Sequence, residues 1–174
     1  VSMVGAAASD AGVVLVPPQV QAGMNVFADR LRLRQILVNL LTNAIKYNRR
    51  GGRVMVSVWP DAGQIAMEVS DTGRGLSAEQ CQHLFEPFNR LGAENSGIEG
   101  TGIGLVIVRR LIELMSGHIE VASEVGVGTR FIVWLPQAEL PEADWDDAEV
   151  TTISGTLNGP ETGYTVLYAE DNEV

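Results

Sequence analysis

Two different spacings of apolar residues along the chain predict its secondary structure. Residues 30–47 carry apolar side chains at intervals of three and four, which predicts a long amphipathic helix with one buried face. Asp29 stands before this pattern in the position of an N-cap, and the pattern breaks at Gly51-Gly52. The predicted buried positions are Leu33, Leu37, Leu40, Leu41, Ala44 and Ile45. Residues 104–115 predict a second amphipathic helix that a glycine closes.

Alternating apolar residues predict the strands. Residues 54–59 and 65–70 alternate on either side of a Pro-Asp-Ala-Gly turn, and residues 119–123 and 129–135 flank a glycine-containing turn in the same way. Each pair predicts a β-hairpin. Shorter elements are also predicted: the end of a helix at 1–11, strands at 13–16 and 24–27, and a short helix near 77–85.

Together these elements predict an α/β fold, a two-layer sandwich with helices on one face of a mostly antiparallel mixed sheet. Residues 71–100, between the first hairpin and the second helix, are rich in glycine and polar residues. Such a long irregular span inside a compact domain is typical of a functional lid loop. We therefore expect the chemistry to lie at this loop, in a domain that covers residues 1–136.

The charge is distributed unevenly along the chain. The net charge is −10, but residues 1–136 contain all 12 basic residues and an equal number of acidic ones. Residues 137–174 contain no Lys or Arg and carry the whole imbalance, which argues against a nucleic-acid surface. We interpret residues 137–163 as an acidic linker.

The composition gives no sign of a membrane segment or of an oxidising compartment. No apolar run approaches the ~18 residues that span a bilayer, and no signal segment opens the chain. The single Cys81 cannot form an internal disulfide. We expect a cytoplasmic domain that makes no membrane contact.

A polar group on the first long helix is the first candidate for chemistry. Asn39, Asn43 and Lys46 fall within about 60° of one another on one helical face. An Asn carbonyl oxygen suits Mg²⁺, and a lysine is a compact charge that can hold phosphate. The alternative is a solvated polar stripe without a ligand.

Two glycine motifs lie at either end of the predicted lid. Asp71-Thr72-Gly73-Arg74-Gly75 follows a strand, so its carboxylate can accept hydrogen bonds from a ring amino group, although a plain turn would use the same residues. Gly100-Thr101-Gly102-Ile103-Gly104-Leu105 opens a helix, where converging N–H groups favour an anion. This second motif matches neither the dinucleotide fingerprint nor a P-loop, and a flexible loop is its alternative.

The segment Leu84-Phe85-Glu86-Pro87-Phe88-Asn89-Arg90 lies between the two glycine motifs. Two phenylalanines in a polar region suggest that the lid packs on apolar side chains, which would give Arg90 a route to a phosphate. The alternative is a local hydrophobic contact beside a solvated arginine.

In their order and spacing these motifs closely resemble the catalytic domain of sensor histidine kinases. The matching series is Asn-x-x-x-Asn-Ala-x-Lys-Tyr, Asp-x-Gly-x-Gly, Phe-x-Pro-Phe, Gly-x-Gly-x-Gly-Leu and Gly-x-Gly-Thr-x-Phe, spread over residues 11–136. That domain belongs to a superfamily shared with gyrase, mismatch-repair and heat-shock chaperone ATPases, and has the Bergerat-type ATP-binding fold. The resemblance implies that the chain binds ATP and Mg²⁺.

The resemblance assigns one group of residues to the phosphates. It implies that Asn43 holds Mg²⁺ with Asn39 beside it, that Lys46 contacts phosphate and that Arg90 reaches the γ-phosphate. These four form the expected catalytic set. The residues expected to close over the phosphates are Gly100, Thr101, Gly102, Gly104 and Leu105.

A second group is assigned to the nucleoside and the lid. The resemblance implies that Asp71 accepts the adenine amino group in a pocket shaped by Gly73 and Gly75, with Thr129 in support. Tyr47 is expected to pack near the ribose or base. The expected lid anchors are Phe85 and Phe88.

One position separates kinases from hydrolytic relatives. In gyrase-like ATPases, a glutamate four residues before the metal-binding asparagine activates the attacking group. Here that position is Asn39, whose amide has no usable basicity, so the resemblance favours phosphotransfer. A conformational ATPase of the gyrase type and a degenerate nucleotide-binding module are the alternatives.

The resemblance also implies partners outside these residues. The family's phosphoacceptor histidine lies on a dimerisation hairpin, and neither His83 nor His118 has the sequence context of that residue. We therefore expect a monomer that does not phosphorylate itself. Residues 164–174 resemble the first strand of a receiver domain, which predicts a hybrid kinase with a downstream receiver; an unstructured acidic tail is the alternative.

Overall fold

The computed structural model describes residues 2–20, 24–90 and 101–138. In these ranges the helices are α1 (Ser2–Ala11), α2 (Arg30–Lys46), α3 (Ala78–Gln82) and α4 (Gly104–Leu114). The strands are β1 (Val14–Leu15), β2 (Gln19–Val20), β3 (Arg53–Asp61), β4 (Gln64–Asp71), β5 (His118–Glu124) and β6 (Gly128–Pro136). The predicted linker at 137–163, apart from its first two residues, and the predicted receiver strand at 164–174 lie outside the described residues.

The described strands form a single mixed sheet. Its order is β1-β3-β4-β6-β5, and β2 pairs with β3 further along the edge that β1 occupies. β1 and β2 run parallel to β3, whereas the β3–β4, β4–β6 and β5–β6 pairs are antiparallel. The predicted mostly antiparallel mixed sheet is thereby confirmed.

The core lies between this sheet and the layer formed by α2 and α4, which pack against each other. Alternate strand residues face the helices, as the burial of Ile65, Met67 and Val69 on β4 shows. Fully burying one such side chain stabilises the fold by about 1.5–3 kcal/mol. On the opposite face of the sheet, the rings of Trp59 and Trp134 meet edge to face with centroids 6.3 Å apart. The fully buried large side chains are Ile36, Leu40, Val54, Val69, Val108, Ile112, Val133 and Leu135.

Helix α2 begins and ends with local hydrogen bonds. Oδ1 of Asp29 accepts a hydrogen bond from the Arg32 N–H at 2.9 Å, which confirms the predicted N-cap. The helix ends at Lys46, before the Gly51-Gly52 break, and Asn48 donates its side-chain amide to the carbonyl of Arg53 at the start of β3. Of the helices in the described ranges, none combines the length and apolarity that crossing a bilayer requires.

The first hairpin turns more tightly than predicted. Its loop is only Ala62-Gly63, with φ values of 47° and 78°, so Pro60 and Asp61 belong to β3. Positive φ at both loop residues matches the right-handed twist of the flanking strands. Pro60 is tolerated because β2 pairs with β3 only as far as Val58, beyond which a missing N–H donor breaks no ladder.

The strand predicted at 24–27 is wrong, and a strand at 19–20 was missed. Within the predicted segment only Val26 forms an isolated bridge, with Gln137. The Phe27 N–H donates to the Pro136 carbonyl, but proline has no N–H to return, so the pairing cannot extend as a ladder. The additional strand, β2, follows Pro17-Pro18 and pairs with β3.

Candidate functional site

A cavity of about 210 Å³ lies between α2, the loop after β4, the start of α4 and strand β6. Most of the site residues predicted from the sequence line it, which confirms that the fold brings them together. These residues are Asn39, Asn43, Lys46, Tyr47, Asp71, Gly75, Arg90, Thr101, Gly102, Gly104, Leu105 and Thr129. Gly73, Phe85 and Phe88 do not line the cavity, and Gly100 lies outside the described residues.

The two asparagines of α2 form a hydrogen-bonded pair at one wall of the cavity. The side-chain N–H of Asn43 donates to Oδ1 of Asn39 at 3.0 Å, since residues four apart are neighbours on a helix. This bond fixes the orientation of the Asn43 amide. One of its two N–H groups donates to Asn39, and its carbonyl oxygen can serve as a ligand to a metal ion.

Asp71 ends β4 and places a carboxylate in the cavity. Its Oδ1 accepts hydrogen bonds from the backbone N–H groups of Gly73 at 2.7 Å and Thr129 at 3.3 Å. Because both bonds go to Oδ1, Oδ2 is the oxygen that can accept from a ligand. Burial raises the pKa of Asp71, and the two backbone hydrogen bonds oppose this shift only in part.

The glycines of the first motif are required by close backbone contacts. A Cβ on Gly73 would overlap with the carbonyl of Tyr47, and one on Gly75 would overlap with the carbonyl of Glu124. Gly75 also has φ of 64°, a conformation that favours glycine. Gly73 therefore supports the wall of the cavity from behind, and Gly75 forms part of that wall.

The glycines of the second motif touch the lid and the asparagine pair. Gly102 has φ of 72°, and a Cβ there would lie 2.9 Å from the backbone carbonyl carbon of Phe88. A Cβ on Gly104 would lie 2.7 Å from Nδ2 of Asn39. Close approach of these backbones places the N-terminus of α4, with its N–H groups, beside the polar face of α2.

Of the two phenylalanines that were predicted to pack, only Phe85 does so. Phe85 is half-buried against the core, and the Arg109 guanidinium lies 5.5 Å from its ring centroid, as expected of a lid anchor. Phe88 is 73% exposed, so its side chain does not anchor the lid. Instead its backbone, with φ of 63°, donates to the Gly102 carbonyl at 3.2 Å, which turns the chain towards the cavity.

Several cavity residues were missed from the sequence. Arg74 and Asn89 are polar and lie inside motifs already singled out, next to Gly75 and Arg90. Their position within those motifs was the signal that could have found them. The apolar lining residues gave no separate signal, because core and cavity side chains share one periodicity; they are Ala44, Leu76, Leu84 and Phe131.

Replacing Gly104 with alanine should weaken ligand binding without weakening the fold. The new Cβ would push Asn39 away and break its bond to Asn43, whereas alanine at a helical position is favoured over glycine by ~1 kcal/mol. We expect a roughly tenfold loss of the affinity for ATP, the ligand that the sequence resemblance implies, equal to about 1.4 kcal/mol, with an unchanged or higher melting temperature. Gly5→Ala in α1, where a Cβ meets nothing within 4 Å, is the matched control and should leave affinity unchanged. Wild-type affinity in Gly104→Ala would show that ligand binding does not depend on the position of Asn39.

The fold and the cavity together define a class of protein. The mixed sheet is backed by two helices, and one cavity is lined by a half-buried carboxylate and by an amide pair beside a glycine-opened helix, an arrangement suited to a nucleotide-binding ATPase domain. A model of the family described as histidine kinase-, DNA gyrase B- and HSP90-like ATPases matches residues 28–139. The chain belongs to this family.

Individual relatives narrow the comparison to sensor kinases. The chain is 41% identical over 126 residues to the circadian input-output histidine kinase CikA of Synechococcus elongatus, which covers 71% of this chain and 17% of the relative. It is 37% identical over 154 residues to the virulence sensor protein BvgS of Bordetella bronchiseptica, covering 86% of this chain and 12% of the relative. The chain thus spans less than a fifth of the length of these curated relatives.

A solved structure gives the same result. Full-length ShkA in complex with AMPPNP superposes with a TM-score of 0.69 and 30% identity, over 80% of this chain and 28% of that one. The mycobacterial sensor histidine kinase MprB matches with a TM-score of 0.66 at 23% identity, which supports the fold alone. The predicted α/β sandwich of a histidine kinase catalytic domain is confirmed.

Proposed function

We propose that this chain is the catalytic portion of a sensor histidine kinase, which binds Mg-ATP and donates the γ-phosphate to a histidine on a dimerisation domain. The observation that carries the proposal is the composition of the cavity. The carboxylate of Asp71 at one end can recognise a base, while Asn43, Lys46 and the N-terminus of α4 at the other can hold phosphates. The relationship to sensor histidine kinases supports the same assignment.

In this proposal, different residues of the cavity bind the nucleoside and the phosphates. Oδ2 of Asp71 accepts a hydrogen bond from the adenine amino group, and Tyr47 packs against the base or ribose. Lys46 and Arg90 neutralise negative charge on the phosphates, which is where charge must be stabilised in phosphoryl transfer. Phe85 packs against the core, and the segment that follows it contributes Asn89 and Arg90 to the cavity wall.

The donor atoms at the phosphate end fit Mg²⁺. The oriented amide oxygen of Asn43 is a hard ligand, and Mg²⁺ commonly takes one or two protein oxygens while phosphates and waters complete its octahedron. Among the described residues there is no cluster of three or more His, Cys, Asp or Glu side chains that could hold a metal. Bound there, the ion would neutralise negative charge on the phosphates.

Asn39 favours transfer to a protein over hydrolysis. Its Oδ1 accepts the hydrogen bond from Asn43, so its role is to position that amide, and an amide has no usable basicity to activate water. In the transfer, a histidine nitrogen forms a bond to the γ-phosphorus while the bond to the β–γ bridging oxygen breaks and ADP leaves. If the chain were a gyrase-type ATPase, the isolated chain would instead hydrolyse ATP rapidly at steady state.

Incubation of the purified chain with γ-labelled ATP tests this proposal. We expect Mg-ATP binding but no acid-labile phosphohistidine, because neither histidine is presented to the cavity. His83 is hydrogen-bonded through Nδ1 to Glu86 at 2.7 Å, and His118 stacks on Trp134 on the far face of the sheet. A longer version of the protein that includes the histidine-bearing hairpin is the positive control and should become labelled. Labelling of His83 or His118 would contradict the proposal.

The remaining assignments follow from the kinase role. We propose that the domain works in the cytoplasm, where ATP is available, and that it is monomeric in isolation because the family dimerises through the hairpin. Its expected partners are that hairpin and a downstream receiver domain. Sedimentation of the purified chain at several concentrations measures the oligomeric state, and a dimer would contradict this expectation.

A further inference from the structure

Arg74 holds the ring of Tyr47 from one side. Its Cζ lies 4.6 Å from the Tyr47 ring centroid, within the range of a cation–π contact, and both residues line the cavity. A planar guanidinium stacks on an aromatic face better than an ammonium does. The Lys46 ammonium, at 5.5 Å from the same centroid, is the more distant of the two cations.

The backbone of Arg74 is fixed at two points. Its N–H donates to the Tyr47 carbonyl at 3.2 Å, and its carbonyl accepts from the Gly126 N–H at 2.8 Å. The glycines on either side, Gly73 and Gly75, have no room for a Cβ. Between these two glycines, Arg74 is the residue with a side chain. Its backbone hydrogen bonds connect the C-terminus of α2 to the β5–β6 turn.

These contacts place Arg74 at the nucleoside end of the cavity. The β5–β6 hairpin, whose Gly126 N–H donates to the Arg74 carbonyl, also contributes the Thr129 N–H that donates to Asp71. The Gly73 N–H, one residue before Arg74, binds the same carboxylate. Asp71, Tyr47 and Arg74 thus form one connected wall, and Asn43 lies one helical turn before Tyr47 on α2.

We propose that Arg74 is a positioning residue for adenine recognition, which holds Tyr47 as the outer wall against which the nucleoside packs. The inference rests on the proposed function and adds a specificity role that acts on the nucleoside, not on the phosphates. Without the guanidinium, the Tyr47 ring can rotate more freely. Each ligand that carries adenosine must then fix the ring on binding, and this costs binding free energy.

A ligand series tests the role of Arg74. We expect Arg74→Ala to weaken adenosine, ADP and ATP binding by the same factor, roughly three- to tenfold, measured by competition against a fluorescent ATP analogue. Arg74→Lys should show a smaller loss in the same direction, and it serves as the second variant if the alanine protein fails to fold. Arg110→Ala, an exposed arginine paired with Glu113 on α4, is the control and should bind all three ligands normally.

A double-mutant cycle separates positioning from a general structural effect. In a Tyr47→Ala background, Arg74→Ala should cause no further loss, because the ring that it positions is absent. A loss that grows from adenosine to ATP would overturn the inference and place Arg74 at the phosphates. Unchanged affinity in Arg74→Ala would also overturn it, whereas a wild-type chain that binds none of the ligands would overturn the proposed function itself.

Discussion

Asp71→Asn should lose ATP affinity by roughly 100-fold, the effect of a lost charge-assisted hydrogen bond to the adenine amino group. The structure indicates why an asparagine cannot substitute. The N–H groups of Gly73 and Thr129 both donate to Oδ1, so the amide oxygen must take that position. The amide N–H₂ of the asparagine then faces the adenine amino group. Both groups are donors, so no hydrogen bond forms between them. Isothermal titration with ATP measures the loss.

The same substitution should leave the stability unchanged or raise it. Burial raises the pKa of Asp71 in the folded state above its ordinary value in an unfolded chain, so the native state binds the proton more tightly than the unfolded chain does. The associated stabilisation is complete below the unfolded pKa and is lost as pH rises through the folded pKa. At neutral pH the buried charge is therefore a net cost, which asparagine removes. Thermal unfolding at pH 7 checks this result.

The pH dependence of binding gives an independent check on Asp71. Because the ionised carboxylate accepts a stronger hydrogen bond from the amino group than the protonated carboxyl group does, wild-type ATP affinity should fall as pH drops through the raised pKa of Asp71. The asparagine variant should lack this component. Asp61→Asn, at the opposite end of the β3–β4 hairpin, is the matched control and should bind like the wild type. Wild-type affinity in Asp71→Asn would show that the base does not bind at this carboxylate.

Asn43→Ala should reduce phosphotransfer by roughly 1000-fold in a longer protein that carries the acceptor histidine, since it removes the proposed ligand of the magnesium ion. In the 174-residue chain, the variant should bind ATP with an affinity that no longer depends on magnesium. Titrations with and without Mg²⁺ and transfer of labelled γ-phosphate measure the two effects.

Two further variants of α2 sharpen this prediction. Asn39→Ala should cause a smaller loss, because the Asn43 oxygen remains and only its orienting bond is removed. Thr42→Ala is the control on the same helix, since its exposed hydroxyl bonds only to carbonyls of α2 itself. Phosphotransfer at the wild-type rate in Asn43→Ala would instead support a site in which the asparagine has no role in catalysis.

The local elements were predictable because local spacing decides them. The three- and four-residue periodicity of α2 fixes which face is buried, and that same periodicity brings Asn39 and Asn43 into hydrogen-bonding distance. The two hairpins follow from alternation between glycine-containing turns. The strand predicted at 24–27 was wrong because local spacing does not decide strand pairing. Pairing of this segment depends on Pro136, a residue distant in sequence that has no N–H donor.

Most residues that line the candidate site could be predicted from the sequence, but the contacts between them could not. The motif residues were found because each type suits a chemistry. Arg74 lies inside one of these motifs, but only the fold shows that its side chain stacks on Tyr47. Phe88 was expected to be packed, and the fold exposes it because a left-handed backbone turns its side chain outwards while its N–H bonds to Gly102.

By itself, the sequence determined the amphipathic helices, the hairpins, the neutral domain with its acidic extension and the residue types available for a nucleotide site. The tertiary structure alone decided which glycines are sterically required, how Asp71 is buried and which oxygen it presents, and how Arg74 reaches Tyr47. The physical reason is the range of the forces involved. Periodicity and capping act over a few residues, whereas burial, steric exclusion and stacking depend on segments that only folding brings together.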